Sequence, residues 1–203
     1  MGNVEARAIE AKAINKYYFS TRDLVVMATL AAVQVVISVS TVPFVRQLMH
    51  GVLHLPGPGA GQAILGGFLY VMWAVLAYGV TQKRGSALVT SIFMGIVGIF
   101  TGMGPLTGFP VFIMYLVAGV ACDIGLLVPK GRYVIATSFA VLAEFLIFIF
   151  LMGYVNGQWL IMNWIPIFAI AGIVSGAAFG VVTIGILRSL ERAGLVRRVV
   201  RAP

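Results

Sequence analysis

Six long apolar runs, separated by short polar segments, organise the chain: Leu24–Val45, Gly61–Val80, Ser86–Thr101, Phe109–Val128, Tyr133–Tyr154 and Leu160–Leu187. A bilayer core about 30 Å thick is crossed by about 20 apolar residues at a helical rise of ~1.5 Å each. The pattern therefore predicts six transmembrane helices. The third run is short, and the last is long enough to tilt or to begin with an irregular turn near Pro166.

Composition agrees: of 203 residues 61% are hydrophobic and only 10% charged, with a mean hydropathy of +1.03, whereas a soluble domain carries roughly a quarter charged residues. The fold class is an all-α integral membrane protein. The net charge of +8 does not imply a nucleic-acid partner, because the basic residues are scattered in short clusters between apolar runs. Arg7, Lys12, Lys16, Arg22, Lys83, Arg84, Lys130, Arg132, Arg188, Arg192, Arg197, Arg198 and Arg201 fall on one side of the six spans, and Arg46 alone on the other. The positive-inside rule then puts both termini in the cytoplasm. Residues 1–20 form a cytoplasmic N-terminal segment, residues 21–187 the six-helix membrane domain and residues 188–203 a basic cytoplasmic tail. The N-terminal segment has a stripe of Ala6, Ile9, Ala13 and Tyr17 suited to an amphipathic helix on the anionic inner leaflet; a frayed tail fits equally well. "MGNVEARAIEAKAINKYY" lacks the apolar core of a cleaved signal peptide and the Ser or Thr of a myristoylation site. The single cysteine, Cys122, permits neither an intrachain disulfide nor a cysteine metal motif.

Acidic groups inside apolar spans are costly, ~2.5–3.5 kcal/mol at mid-helix on the insertion scale, and are functional candidates by default. Glu144 stands near the middle of the fifth span with no basic residue inside that span, and is expected to face a hydrated cavity where it receives a donor or a cation. Asp123 lies near the inner end of the fourth span, where Lys130, Arg132 or another inner base is its expected partner. Asp23 reads as a helix-start residue. On the outer side, "GYVNGQWLIMNWIP" (Gly153–Pro166) gathers Tyr154, Asn156, Gln158, Trp159, Asn163 and Trp164. Aromatics at that depth form interfacial belts, and amides interleaved with indoles also suit a flat heteroaromatic ligand. Gln62, Tyr70 and Tyr115 complete the candidate substrate-binding set. Small residues at four-residue spacing, Gly172–Gly176–Gly180 and Ala87–Ser91–Gly95, predict close helix packing; Ala28 and Ala32, beside Ala31, form a patch that could contact another subunit.

No Walker A motif, zinc-protease motif, arginine-rich voltage sensor or nucleophile–base constellation occurs, and the spans show no inverted halves. No enzymatic activity or cofactor is expected. The size, the six spans, the Ala-x-x-x-Ala stretch and the long first outer loop resemble the substrate-capturing S component of an energy-coupling factor (ECF) transporter. Within that class the chain is similar to the YkoE-type members, associated with thiamine and its hydroxymethylpyrimidine precursor. The carrying stretches are "STRDLVVMATLAAVQVV", "GGFLYVMWAVLAYGVTQKRGSALVTSI" and "GPLTGFPVFIMYLVAGVACDIG". The resemblance implies capture of a vitamin-like solute from outside, under the outer loops, and docking on a transmembrane T subunit driven by two cytoplasmic ATPases that hydrolyse the ATP. It assigns the coupling role to Ala28 and Ala32.

Two alternatives remain. Metal-handling S components would bind cobalt or nickel, and His50 and His54, spaced i, i+4, would share a helix face. However, Leu55 and Pro56 make helix doubtful there, no acid or cysteine accompanies the pair, and the N-terminal His of metal-specific members is missing. The histidines then belong to an outer lid whose turn is set by "PGPG". A membrane subunit that only assembles, with no ligand, is the other alternative; Glu144 below an amide–indole cluster argues against it.

Overall fold

The computed structural model describes residues 19–52, 54, 60–101, 106, 108–157 and 164–196. Among them every regular element is helical. Helix α1 (Thr21–Arg46) runs on into a π-helical turn at Gln47–Val52. Next, α2 (Ala60–Gly66), a π-helical turn at Gly67–Val71 and α3 (Met72–Thr81) form one continuous rod. Then follow α4 (Ser86–Thr101), α5 (Phe109–Gly125), α6 (Arg132–Asn156) and α7 (Ile165–Arg192). Four stretches are long and apolar enough to cross a membrane: Thr21–Val45, Ile64–Thr81, Arg132–Val155 and Ile165–Arg192. The other two, α4 with 16 residues and α5 with 17, reach only about 24–26 Å.

Local chemistry sets the helix ends. Ser20 caps α1: its Oγ accepts the Asp23 N–H at 3.3 Å while its own N–H donates to Asp23 Oδ2 at 2.8 Å, a reciprocal capping box. Asp23 also pairs with Lys83 at 2.7 Å, tying the start of α1 to the turn between α3 and α4. Helix α7 continues through Arg188 to Arg192, so the first five residues expected in the tail are helical. Nothing breaks the helix before Gly194, whose φ of +72° lies in the left-handed region.

The α2–α3 rod is the axis of the bundle. It touches every other helix, while α4, α5, α6 and α7 pack sequentially around it and α1 leans on the rod and α4. Burial follows: 61% of the rod's apolar window is buried, against 28% for α1 and 33% for α7. The small-residue stripes allow the tightest approaches. A Cβ on Gly176 would stand 2.5 Å from Ser138 Cα, and one on Gly180 2.7 Å from Val134 Cα, so α7 meets the backbone of α6 as the spacing predicts. Ser91 fills the notch left by Gly119 between α4 and α5. Two apolar clusters result: one runs around Tyr70, Tyr115, Phe145 and Phe168, the other toward the basic loops around Val75, Cys122, Ala136 and Leu187.

Candidate functional site

Glu144 is 1% exposed, on the inward face of α6. It is thus enclosed, where the sequence predicts a carboxylate lining a hydrated cavity. Tyr70 from the π turn and Tyr115 from α5 are buried within electrostatic range of it. Their rings meet edge to face at 5.7 Å. Phe145, next to Glu144 in the chain, packs edge-on to Phe168 at 6.3 Å, and Phe168 stacks under half-buried Trp164 at 5.8 Å. An aromatic column from the start of α7 therefore descends to the level of the carboxylate. Of the candidate set, Glu144, Tyr70, Tyr115 and Trp164 converge on one cluster.

A neutral polar group joins them that inspection of acidic residues overlooks. Gln34 of α1 is 0% exposed. Its Nε2 lies 2.8 Å from the Leu69 carbonyl, 2.9 Å from Tyr115 Oη and 2.9 Å from Ser38 Oγ. Ser38 Oγ, also buried, donates to the same Leu69 carbonyl at 3.1 Å. The π turn explains why that carbonyl is available: a wider turn displaces the regular i→i−4 ladder, and such turns recur at functional sites. Gln34 Oε1 finds no hydrogen-bond partner among the described residues. Its signal in the sequence is the inward stripe Met27–Ala31–Gln34–Val35–Ser38, all buried, in which an amide and a hydroxyl interrupt apolar positions at helical spacing.

Other expectations change. Tyr154 is 78% exposed and stacks on Phe150 at 6.3 Å, on the outward face of α6; it does not line the Glu144 cluster, because its helical phase carries it away. Asp123 is not held by Lys130 or Arg132. Its Oδ2 accepts the Leu88 N–H at 3.0 Å, with the backbones of Gly85 and Ala87 as further partners, so it caps the start of α4 from the neighbouring helix. Arg132 instead lies over the rings of Tyr78 and Tyr133. Helical structure before the histidine loop ends at Val52, and His54 is exposed with φ +51°, so the pair does not share a helix face. Among the described residues no three of His, Cys, Asp and Glu gather. The side chains of His50, Gln62 and Asn156 lie outside the described residues, as do Trp159 and Asn163 and the N-terminal segment before Phe19. Ala28 and Ala32 are exposed on the outer face of α1, flanked by Val25 and Val36, while Ala31 beside them is buried.

A bundle of apolar helices around an enclosed carboxylate defines a multi-pass membrane protein. Its fold is that of an ECF S component: a solved structure described as "Crystal structure of an S-component of ECF transporter" matches with a TM-score of 0.71 and 23% identity, over 87% of this chain and 88% of that one. The chain belongs to the family described as ABC-type cobalt transport system, permease component, whose model matches residues 22–150. The matched segment includes Ala28, Ala32, Gln34, Tyr70, Tyr115 and Glu144. No curated protein matches the sequence.

Proposed function

We propose that this chain is the substrate-capturing S subunit of an ECF-type importer in the plasma membrane, with all six helical rods crossing the bilayer and both termini in the cytoplasm. Its substrate in this reading is a vitamin-like small molecule, thiamine or its hydroxymethylpyrimidine precursor favoured, taken from outside. The observation that carries it is Glu144, 1% exposed, enclosed among Tyr70, Tyr115 and the Phe145–Phe168–Trp164 column. An amino-substituted heteroaromatic ring suits that shell. Its amine or ring N–H gives the carboxylate a charge-assisted hydrogen bond, worth about 1.5–3 kcal/mol, and its faces meet the aromatic rings. Gln34 Oε1 offers a second acceptor, and Tyr115, which accepts from Gln34, keeps its own O–H to donate. Trp159, Asn156, Asn163 and Gln62 complete the proposed substrate-binding set.

The exposed Ala28–Ala32 patch is the docking face for the T subunit, where small residues permit close helix contact. ATP hydrolysis belongs to the two ATPase partners. The chain itself is no enzyme and needs no resident cofactor.

A second reading, capture of cobalt, is favoured by the family's description. Imidazole suits Co²⁺, and His50 and His54 would be its ligands, with further donors required. Calorimetric titration of the purified protein with thiamine, hydroxymethylpyrimidine and Co²⁺ separates the two. Capture of the organic ring predicts that Glu144→Gln weakens binding about tenfold or more and that His50→Ala with His54→Ala leaves it intact. Cobalt binding that needs both histidines and ignores Glu144→Gln would replace the first reading with the second. No binding of any of the three would return the chain to a purely assembling subunit.

A further inference from the structure

The central rod meets α7 at two places that a regular helix would not turn to the same side. A Cβ on Gly67 would stand 2.9 Å from Phe179 Cδ2 and 3.2 Å from the Ser175 carbonyl oxygen, and one on Gly79 would stand 2.5 Å from both Leu187 Cδ atoms. Both glycines therefore face α7. On an uninterrupted α-helix, residues that far apart would point about 120° away from each other; one extra residue absorbed in a π turn brings them within about 20°. The π turn at Gly67–Val71 is what lets one rod keep both contacts. The stretch before it is also tied to α7, since Ser175 Oγ donates to the Ile64 carbonyl at 2.6 Å.

The turn frees a carbonyl. Met72 N–H donates to Gly67 O instead of to Phe68 O, its partner in a regular i→i−4 ladder. Phe68 O accepts the indole N–H of Trp73 at 2.9 Å. The neighbouring Leu69 carbonyl is held from α1 by Gln34 and Ser38. Trp73 Nε1 can only donate, and its half-buried ring lies 6.5 Å from that of Phe68, which in turn meets Phe179 of α7 at 5.5 Å. The indole thus sits on the carbonyl at which the backbone ladder skips. Two residues beyond that carbonyl, Tyr70 is buried with its ring 5.7 Å from that of Tyr115.

We infer that Trp73 is a positioning residue of the candidate site: its indole N–H pins the π turn at Phe68 and so aims Tyr70 at Tyr115. The two contacts with α7 hold the phase of the rod, so the extra residue does not vanish when the pin is removed. A carbonyl left unmet within an apolar bundle is costly, and Met72 N–H is placed to take it. The π turn then slides toward α3, past Tyr70, and swings that side chain by up to about 100°. That Tyr70 contacts substrate rests on the function proposed above; that Trp73 places it does not.

The test replaces the Trp73 indole N–H by sulfur, as benzothienylalanine incorporated at that one site of the full chain in phosphatidylcholine nanodiscs, and reads a ring-fluorinated Tyr70 by fluorine NMR. Azatryptophan at the same site keeps the N–H and serves as the rescue. The sulfur analogue should move the Tyr70 resonance and weaken thiamine or hydroxymethylpyrimidine binding about tenfold while the chain still unfolds cooperatively; azatryptophan should restore both. A resonance unmoved by the sulfur analogue, or moved as far by azatryptophan, would overturn the assignment, as would a moved resonance with ligand affinity unchanged. Should the analogue fail to fold, the unsubstituted protein decides: the Trp73 indole N–H should resist exchange with deuterium, and exchange as fast as that of a free indole would overturn the pin. Binding of neither compound by the unsubstituted protein would remove the substrate reading, and the Tyr70 resonance would still decide whether Trp73 places that side chain.

Discussion

Gln34→Met separates a residue kept for binding from one kept for stability. The amide is 0% exposed, and its Nε2 lies within 2.9 Å of three acceptors, Leu69 O, Tyr115 Oη and Ser38 Oγ. Two protons serve at most two of them at once. Methionine has similar volume and fills the same space. On substitution the Leu69 carbonyl keeps the Ser38 hydroxyl, already 3.1 Å away, and Tyr115 keeps its own donor. The loss is two neutral hydrogen bonds at about 0.5–1.5 kcal/mol each. Offsetting it, an amide whose Oε1 has no partner among the described residues leaves the interior, relieving a burial penalty of about 1–3 kcal/mol. Net stability should therefore change by about 1 kcal/mol or less, a melting shift of roughly 2–4 °C at most. Affinity should respond differently: an acceptor lost from a charged donor costs about 1.5–3 kcal/mol, roughly ten- to hundredfold in Kd. Thermal unfolding in detergent and calorimetry with the compound the wild type binds give both numbers. A melting temperature lowered by more than about 8 °C with affinity unchanged would refute the reasoning and make Gln34 a structural strut.

Three further outcomes follow from the packing. Asp123→Ala should lower stability by about 1–2 kcal/mol, as loss of a helix cap does, and Asp123→Asn by less; thermal unfolding checks this, and an equal loss in Lys130→Gln would reinstate the ion pair. Gly176→Val should cost about 1–3 kcal/mol or more, because its Cβ would meet the Ser138 backbone at 2.5 Å, whereas Gly185→Ala, with nothing within 4 Å, should be neutral or stabilising in the same melt. Ala32→Leu should leave substrate binding intact and abolish uptake by the reconstituted transporter; unchanged uptake would remove the coupling role from this face.

The helices were legible because membrane-length apolar runs leave the backbone little alternative to internal hydrogen bonding. Glu144 was legible for a related reason, since a lone acid in such a run demands an account. Gln34 was not, because a neutral amide costs less and its chief partner is a main-chain carbonyl exposed by a π turn that no residue type announces. Asp123 misled in the opposite way: two basic residues lie nearby in sequence, yet the groups that satisfy it are amides of another helix. Tyr154 could have been phased. The buried positions Val141, Phe145, Phe148 and Met152 mark one face of α6, and Leu146, Phe150 and Tyr154 mark the exposed one, so proximity to the amide–indole segment was a weaker guide than helical periodicity.

Helix α1 carries two faces with opposite duties, and their arrangement bears on how capture could be reported to a partner subunit. It is the least buried of the four membrane-length helices at 28%, so apolar packing alone holds it loosely to the bundle. Among the described residues its polar attachments to the central rod are Gln34 and Ser38, both on the Leu69 carbonyl of the π turn. The next residue of that turn, Tyr70, lies within electrostatic range of Glu144. A ligand that engages Gln34 would act on one of the groups that fasten α1, while Ala28 and Ala32 of the same helix stay exposed. If the chain works as the importer subunit proposed above, the seating of α1 on the Leu69 carbonyl is the route by which binding at Gln34 would reach the Ala28–Ala32 face.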